Sequence, residues 1–179
     1  MESSTVNISI FARFLGLSML SRGYSVSPLK LQKLLYYQQA WHMVIFGRGA
    51  SLFNETPEAW VNGPVYPGIY REYKGKVPGM CDHLKESDFG LRSDENIWDV
   101  ISVLQGEIGL SRQELDLFGN VIDLYASRSQ NQLIFTTHME RPWIEARGDL
   151  MPFEPSSRQI SLDTMHDYYL ARYNRNRNR

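Results

Sequence analysis

One stretch, SPLKLQKLLYYQQAWHMVIFG from Ser27 to Gly47, constrains the fold of this chain more than any other. Ser27 is suited to an N-cap, because its hydroxyl accepts from a backbone N–H that has no partner inside the helix. Pro28 suits the first helical position, where a missing N–H costs nothing, and Gly47 suits the stop. Between them Leu34, Tyr37, Trp41 and Val44 recur at helical spacing, and Leu31, Leu35 and Ile45 widen the stripe beyond half the circumference. Polar residues remain at Lys30, Gln32, Lys33, Gln38, Gln39 and His42. A helix this apolar is enclosed by others. It predicts a mainly α, compact, single-domain helical bundle built around a central buried helix.

The rest of the chain supplies those neighbours. Asn7 and Gly23 bracket an amphipathic helix over Ile8 to Arg22, with Phe11, Phe14 and Leu15 inward. After Gly47 the helical period is lost, and Asn-Gly-Pro at 62–64 signals a turn. This predicts a small β-hairpin or turn near residues 52–65, with Glu58 to Val61 as a short strand paired near Leu52 and Phe53. Pro67 opens a helix carrying Ile69, Tyr70 and Tyr73; residues 74–92 read as a surface loop. Further helices are expected from Ser93, from the capping box Ser111-x-x-Glu114, from Ser129, from Pro142 and from Ser161. With 179 residues, 42% hydrophobic and 22% charged, the composition is that of a globular domain. A formal charge of −1 gives no global field toward nucleic acid or anionic lipid. Cys81 stands alone, so a cysteine-rich zinc site is excluded. The run Ile8 to Leu20 lacks a basic n-region, since Glu2 stands there, and Arg13 interrupts it, so no signal peptide is expected. The expected location is the cytoplasm.

Catalytic signatures are sparse. His138-x-Glu140 formally begins a zinc-deaminase pattern, but the P-C-x-x-C that completes the metal site does not follow. A helix-end histidine and a helix-start carboxylate are the plainer reading, with His138 satisfying terminal carbonyls and Glu140 accepting from the first turn after it. No metal and no cofactor are expected. Cys81 beside His83 lies in a loop, where nucleophile geometry is rarely held. The tail arginines from Arg172 to Arg179 can grip phosphate, yet a short Asn/Arg end is more often solvated.

Three blocks taken together resemble a known family. PLKLQKLLYYQQAWH, LFNETPEAWVNGPVYPGIYREYK and QLIFTTHMERPWIEAR are similar to the Panacea domain family, whose members include SocA-like antitoxins and phage-associated GepA-like proteins. The shared pattern is a KLQKLLYY helix, an AW-x-x-GPV turn and a TH-x-E-x-PW segment, here on Lys30–Tyr37, Ala59–Val65 and Thr137–Trp143. The resemblance spans about Ile8 to Arg147; the chain is expected to form one Panacea-like domain over residues 1–170, with the basic Asn/Arg composition of residues 171–179 predicting a disordered tail. The resemblance also implies a non-enzymatic antitoxin that neutralises a cognate toxin, encoded nearby, by direct protein contact. Delivery of that toxin to a ClpXP-type protease is the alternative; an enzyme using His138 and Glu140 is a more distant one. Gln38 stands where the family often has a small residue.

A docking surface needs rigid, partly exposed side chains. The turn Trp60, Asn62, Gly63 and Pro64 meets that need, and Lys33 and Tyr37 are expected to present a charge and a hydroxyl beside it. Leu31, Gln32, Leu34, Trp41, His138, Glu140, Pro142 and Trp143 are expected to be structural members of the family motifs.

Overall fold

α1 (Ile8–Ser21) and α2 (Pro28–Phe46) form where their caps place them: the Asn7 side chain accepts from Ser9 and Ile10 N–H, and the Ser27 hydroxyl from Lys30 N–H. A computed structural model describes residues 5–178 of the chain; Glu2 and Arg179, on which the sequence reading touched, lie outside them. After α2 come β1 (Glu58–Trp60), β2 (Gly63–Val65) and α3 (Pro67–Tyr73), then α4 (Ile97–Ile108), α5 (Arg112–Tyr125), α6 (Gln130–His138), α7 (Arg141–Arg147) and α8 (Leu162–Arg177). The protein is mainly α, with a two-stranded sheet, and α2 sits at its centre against α1, α3, α5, α6, α8 and β2. No helix among the described residues is long and apolar enough to cross a membrane.

The centre of α2 is more enclosed than its sequence suggests. Leu31, Leu34 and Leu35 are fully buried, Trp41 is buried, and so are the polar residues Lys30, Gln32, Lys33, Gln38, Gln39 and His42. Each polar side chain ties down a neighbouring segment, as burial requires. Lys30 Nζ donates to Ala126 O at 2.5 Å, and Gln38 Nε2 to Phe118 O at 3.1 Å. Gln39 Oε1 accepts from Leu52 and Phe53 N–H at 2.9 and 3.0 Å. His42 lies 2.8 Å from Ala50 O and 3.0 Å from Glu114 Oε1. Gln38, the departure from the family pattern, is therefore a partner for the α5 backbone. Ile45 departs in the other direction: it is exposed, near the end of the helix.

Four other expectations need correction. β1 pairs with β2, Glu58 opposite Val65 and Trp60 opposite Gly63, while Phe53 bridges to Val6. A tight hairpin turn at Val61-Asn62 reverses the chain at once. α4 starts at Ile97 instead of Ser93, because Asn96 caps it and the Glu95 carboxylate accepts from Arg92 N–H in the preceding turn. Residues 74–92 are not wholly a surface loop. Leu84 and Phe89 are buried, and Phe89 lies over Gly16 so closely that a Cβ there would come within 2.1 Å of its ring. Finally, α8 continues to Arg177, so residues 171–177 are helical and not a loose tail. Arg172 and Tyr173 are half-buried, and Arg172 reaches Glu140.

Candidate docking surface at the hairpin

The three motif blocks converge on the hairpin. Short strands leave backbone groups that must find partners, and α2 supplies them to β2 and the residue after it. Tyr66 N–H donates to Gln32 Oε1 at 2.8 Å, Gln32 Nε2 donates to Tyr66 O at 3.3 Å, and Lys33 Nζ donates to Pro64 O at 3.1 Å. On the other strand Trp143 Nε1 donates to Trp60 O at 2.9 Å and Arg147 Nη1 to Ala59 O at 3.1 Å. Ala59 N–H donates to Arg158 O at 2.8 Å. The hairpin is thereby fixed on both edges by side chains from distant parts of the sequence.

Beneath the turn the packing leaves no room. Gly63 has φ +96°, and a Cβ on it would lie 2.7 Å from Thr137 Oγ1 and 2.8 Å from Lys33 Cε. Lys33 is fully buried, and burial pulls its pKa down to about 7. His138 stacks on Trp143 with ring centroids 4.1 Å apart and planes 16° apart. Burial, and then the nearby Lys33 charge, hold His138 below the usual histidine range, and its buried Nε2 has no partner among the described residues.

Glu140 also differs from expectation. It makes no side-chain cap bond to α7; Pro142 within the first turn leaves one donor fewer there. Its carboxylate instead turns inward, accepting from Tyr169 Oη at 2.5 Å and Arg172 Nη1 at 3.3 Å. His138 does not satisfy helix-end carbonyls by an observed bond either. Neither residue lines the groove described below, and no group of three or more His, Cys, Asp or Glu among the described residues is placed to hold a metal ion.

Outside the hairpin lies a groove of about 580 Å³, lined by Leu29, Trp60, Asn62, Tyr70, Met80 and Pro155, with Val61, Val65, Ser156 and Ser157. None of these is charged. Trp60 packs edge-on against Tyr70 at 4.8 Å, and its indole N–H donates to Glu58 at 2.7 Å, so the ring is held. The far wall is held too. Arg147 Nη2 donates to the carbonyls of Met151 at 2.7 Å and Glu154 at 2.8 Å, fixing the segment that carries Phe153, which is 88% exposed.

The expected contact residues therefore separate. Trp60 and Asn62 face the groove. Gly63 and Pro64 are buried behind it, and Lys33 and Tyr37 are buried in the core, where they offer no free charge or hydroxyl to a partner. Tyr37 instead stacks on Tyr125 at 3.8 Å. Leu29, Tyr70, Met80 and Pro155 were not foreseen as lining. Tyr70 carried a signal in its proline-opened helix, but Met80 and Pro155 lie in segments without periodicity.

A family model described as antitoxin SocA-like, Panacea domain, matches residues 31–144, a span that takes in most of α2, the hairpin and the Thr137–Trp143 segment. No curated protein and no solved structure matches the chain.

Proposed function

This chain belongs to the SocA-like antitoxin family that carries the Panacea domain, and on that premise we propose that it neutralises a cognate toxin by direct contact, without enzymatic chemistry, at the groove beside the hairpin. The family match carries the antitoxin reading. The choice of surface is supported by the groove itself: a rigid aromatic, Trp60, beside an exposed amide, Asn62, in a concave lining without charge. Such a site suits an apolar segment flanked by a hydrogen-bonding group, and an aromatic held by its own neighbours loses little entropy on binding. Lys33, Gln32, Trp143 and Arg147 then act behind the surface by holding the hairpin in shape.

The test is co-expression with the product of the adjacent reading frame, scoring growth and co-purification. The parent chain should rescue growth and co-purify with the toxin. Asn62→Ala combined with Ser157→Arg, which places a charge on the groove wall, should lose both while melting like the parent. Rescue by this double variant at matched expression moves the docking surface elsewhere. A parent that neither rescues nor co-purifies removes the antitoxin reading. Co-purification with rescue lost in cells lacking a ClpXP-type protease replaces direct neutralisation by delivery.

A further inference from the structure

Glu140 is 2% exposed, and its hydrogen-bond donors among the described residues, Tyr169 and Arg172, both stand on α8. The other titratable groups that face it are Tyr36 and Tyr37 from α2, Tyr125 from α5, Arg128 from the following turn and Tyr168 from α8. Tyr36 and Tyr37 Oη are buried without a partner among the described residues. Burial pushes the Glu140 carboxyl up to about 7, opposed by the Tyr169 hydrogen bond and by the Arg172 and Arg128 charges. α8 is also seated through its apolar face: Met165, His166 and Tyr169 are buried, and Leu162, Tyr168 and Tyr173 pack against the core, so Glu140 adds a protonation-dependent part to that seating. Among the described residues, the ion pairs from α8 to other elements besides Arg172–Glu140 are the exposed ones of Arg48 with Asp163 and Asp167, and exposed pairs are weak.

We propose that Glu140 is a proton-operated catch for α8, keeping the last helix seated when it carries a proton and loosening it when it is ionised. The sign follows from linkage. In the seated form the carboxyl keeps its proton to about pH 7, whereas in water it returns toward 4.5. Between those values the seated form binds more protons, so each rise of one pH unit favours unseating by up to about tenfold. Below 4.5 and well above 7 the dependence flattens. Unseating would uncover the α2 face on which Tyr169 now packs, with Tyr36 and Tyr37 at 6.1 Å and Trp41 at 5.4 Å between ring centroids. The inference concerns the fold alone and stands apart from the antitoxin reading.

Hydrogen exchange on the full chain tests it. After correction for intrinsic exchange, protection of the α8 amides relative to those of α5 should fall by roughly twenty-fold between pH 5.5 and 7.5, on the linkage above. In Glu140→Gln that fall should be absent, which separates Glu140 from His166 on the same helix. If Glu140→Gln does not fold, the carbon-13 shift of the Glu140 carboxyl in the parent chain serves in its place, with a midpoint near 7 expected. Equal pH dependence in parent and variant, or a midpoint near 4.5, overturns the proposal.

Discussion

Lys33 shows what the polar interior does at the scale of one side chain. It is fully buried, donates to Pro64 O, and has its pKa drawn from 10.5 to about 7 by burial. The unfolded chain therefore binds more protons between pH 7 and 10.5. The sign is fixed: this residue's cost is greatest below pH 7 and shrinks as the pH rises through the window. The full shift corresponds to about 5 kcal/mol. Parent stability should thus gain roughly 2–3 kcal/mol from this source between pH 7 and 9, below the range where unfolded tyrosines ionise. Urea melts at those pH values check this against Lys33→Met, in which the gain should vanish. Lys33→Glu, which would be silent on an exposed face, should instead prevent folding or lower the melting temperature steeply, because an unpaired carboxylate takes the same buried place. The sequence showed that Lys33 interrupts an apolar helix. It did not show which way the side chain points, because a helix surrounded on all sides has no solvent face for the pattern to mark.

At the scale of elements, the hairpin is held by residues distant from it in sequence. Gly63 combines a positive φ with contacts under 3 Å to any added Cβ. Gly63→Ala should cost at least about 2 kcal/mol in a thermal melt, the sum of backbone strain and displacement of Thr137 or Lys33. Arg147 bridges Ala59 O to the carbonyls of Met151 and Glu154. Arg147→Met should cost about 2–4 kcal/mol and open residues 148–157 to limited proteolysis; intact resistance would place the rigidity elsewhere. Capping signals made several helices legible: Ser111 with Glu114, and Ser129, cap where their spacing says. The hairpin was legible as a turn but not in its pairing, since three-residue strands carry too little alternation to set register. The groove was legible through Trp60 and Asn62 alone. Its other walls come from segments whose positions depend on long-range contacts such as Leu29 N–H to Met80 O.

For the whole molecule, the last helix closes the fold, and its end was the part read least well. A run of Arg and Asn resembles a solvated tail by composition, yet an arginine can be drawn inward when a buried carboxylate lies within reach. Arg172 is that arginine, 28% exposed in its side chain against 3% for its partner Glu140. Residues 174–178 are exposed. Removing residues 174–179 should therefore leave stability within about 0.5 kcal/mol of the parent. Arg172→Leu should behave differently, and differently at two pH values. At pH 8 the Glu140 carboxylate is ionised and loses its cation, so the variant should be less stable than the parent by about 1–3 kcal/mol. At pH 5.5 the carboxyl holds its proton in the folded state, the cation is no longer needed, and Tyr169 still donates, so the difference should shrink toward zero. Chemical melts of the parent, the truncated chain and Arg172→Leu at both pH values decide it. An equal loss at pH 5.5 and 8 would mean that Arg172 acts by packing, and a destabilised truncation would mean that the end of α8 carries more than that one arginine.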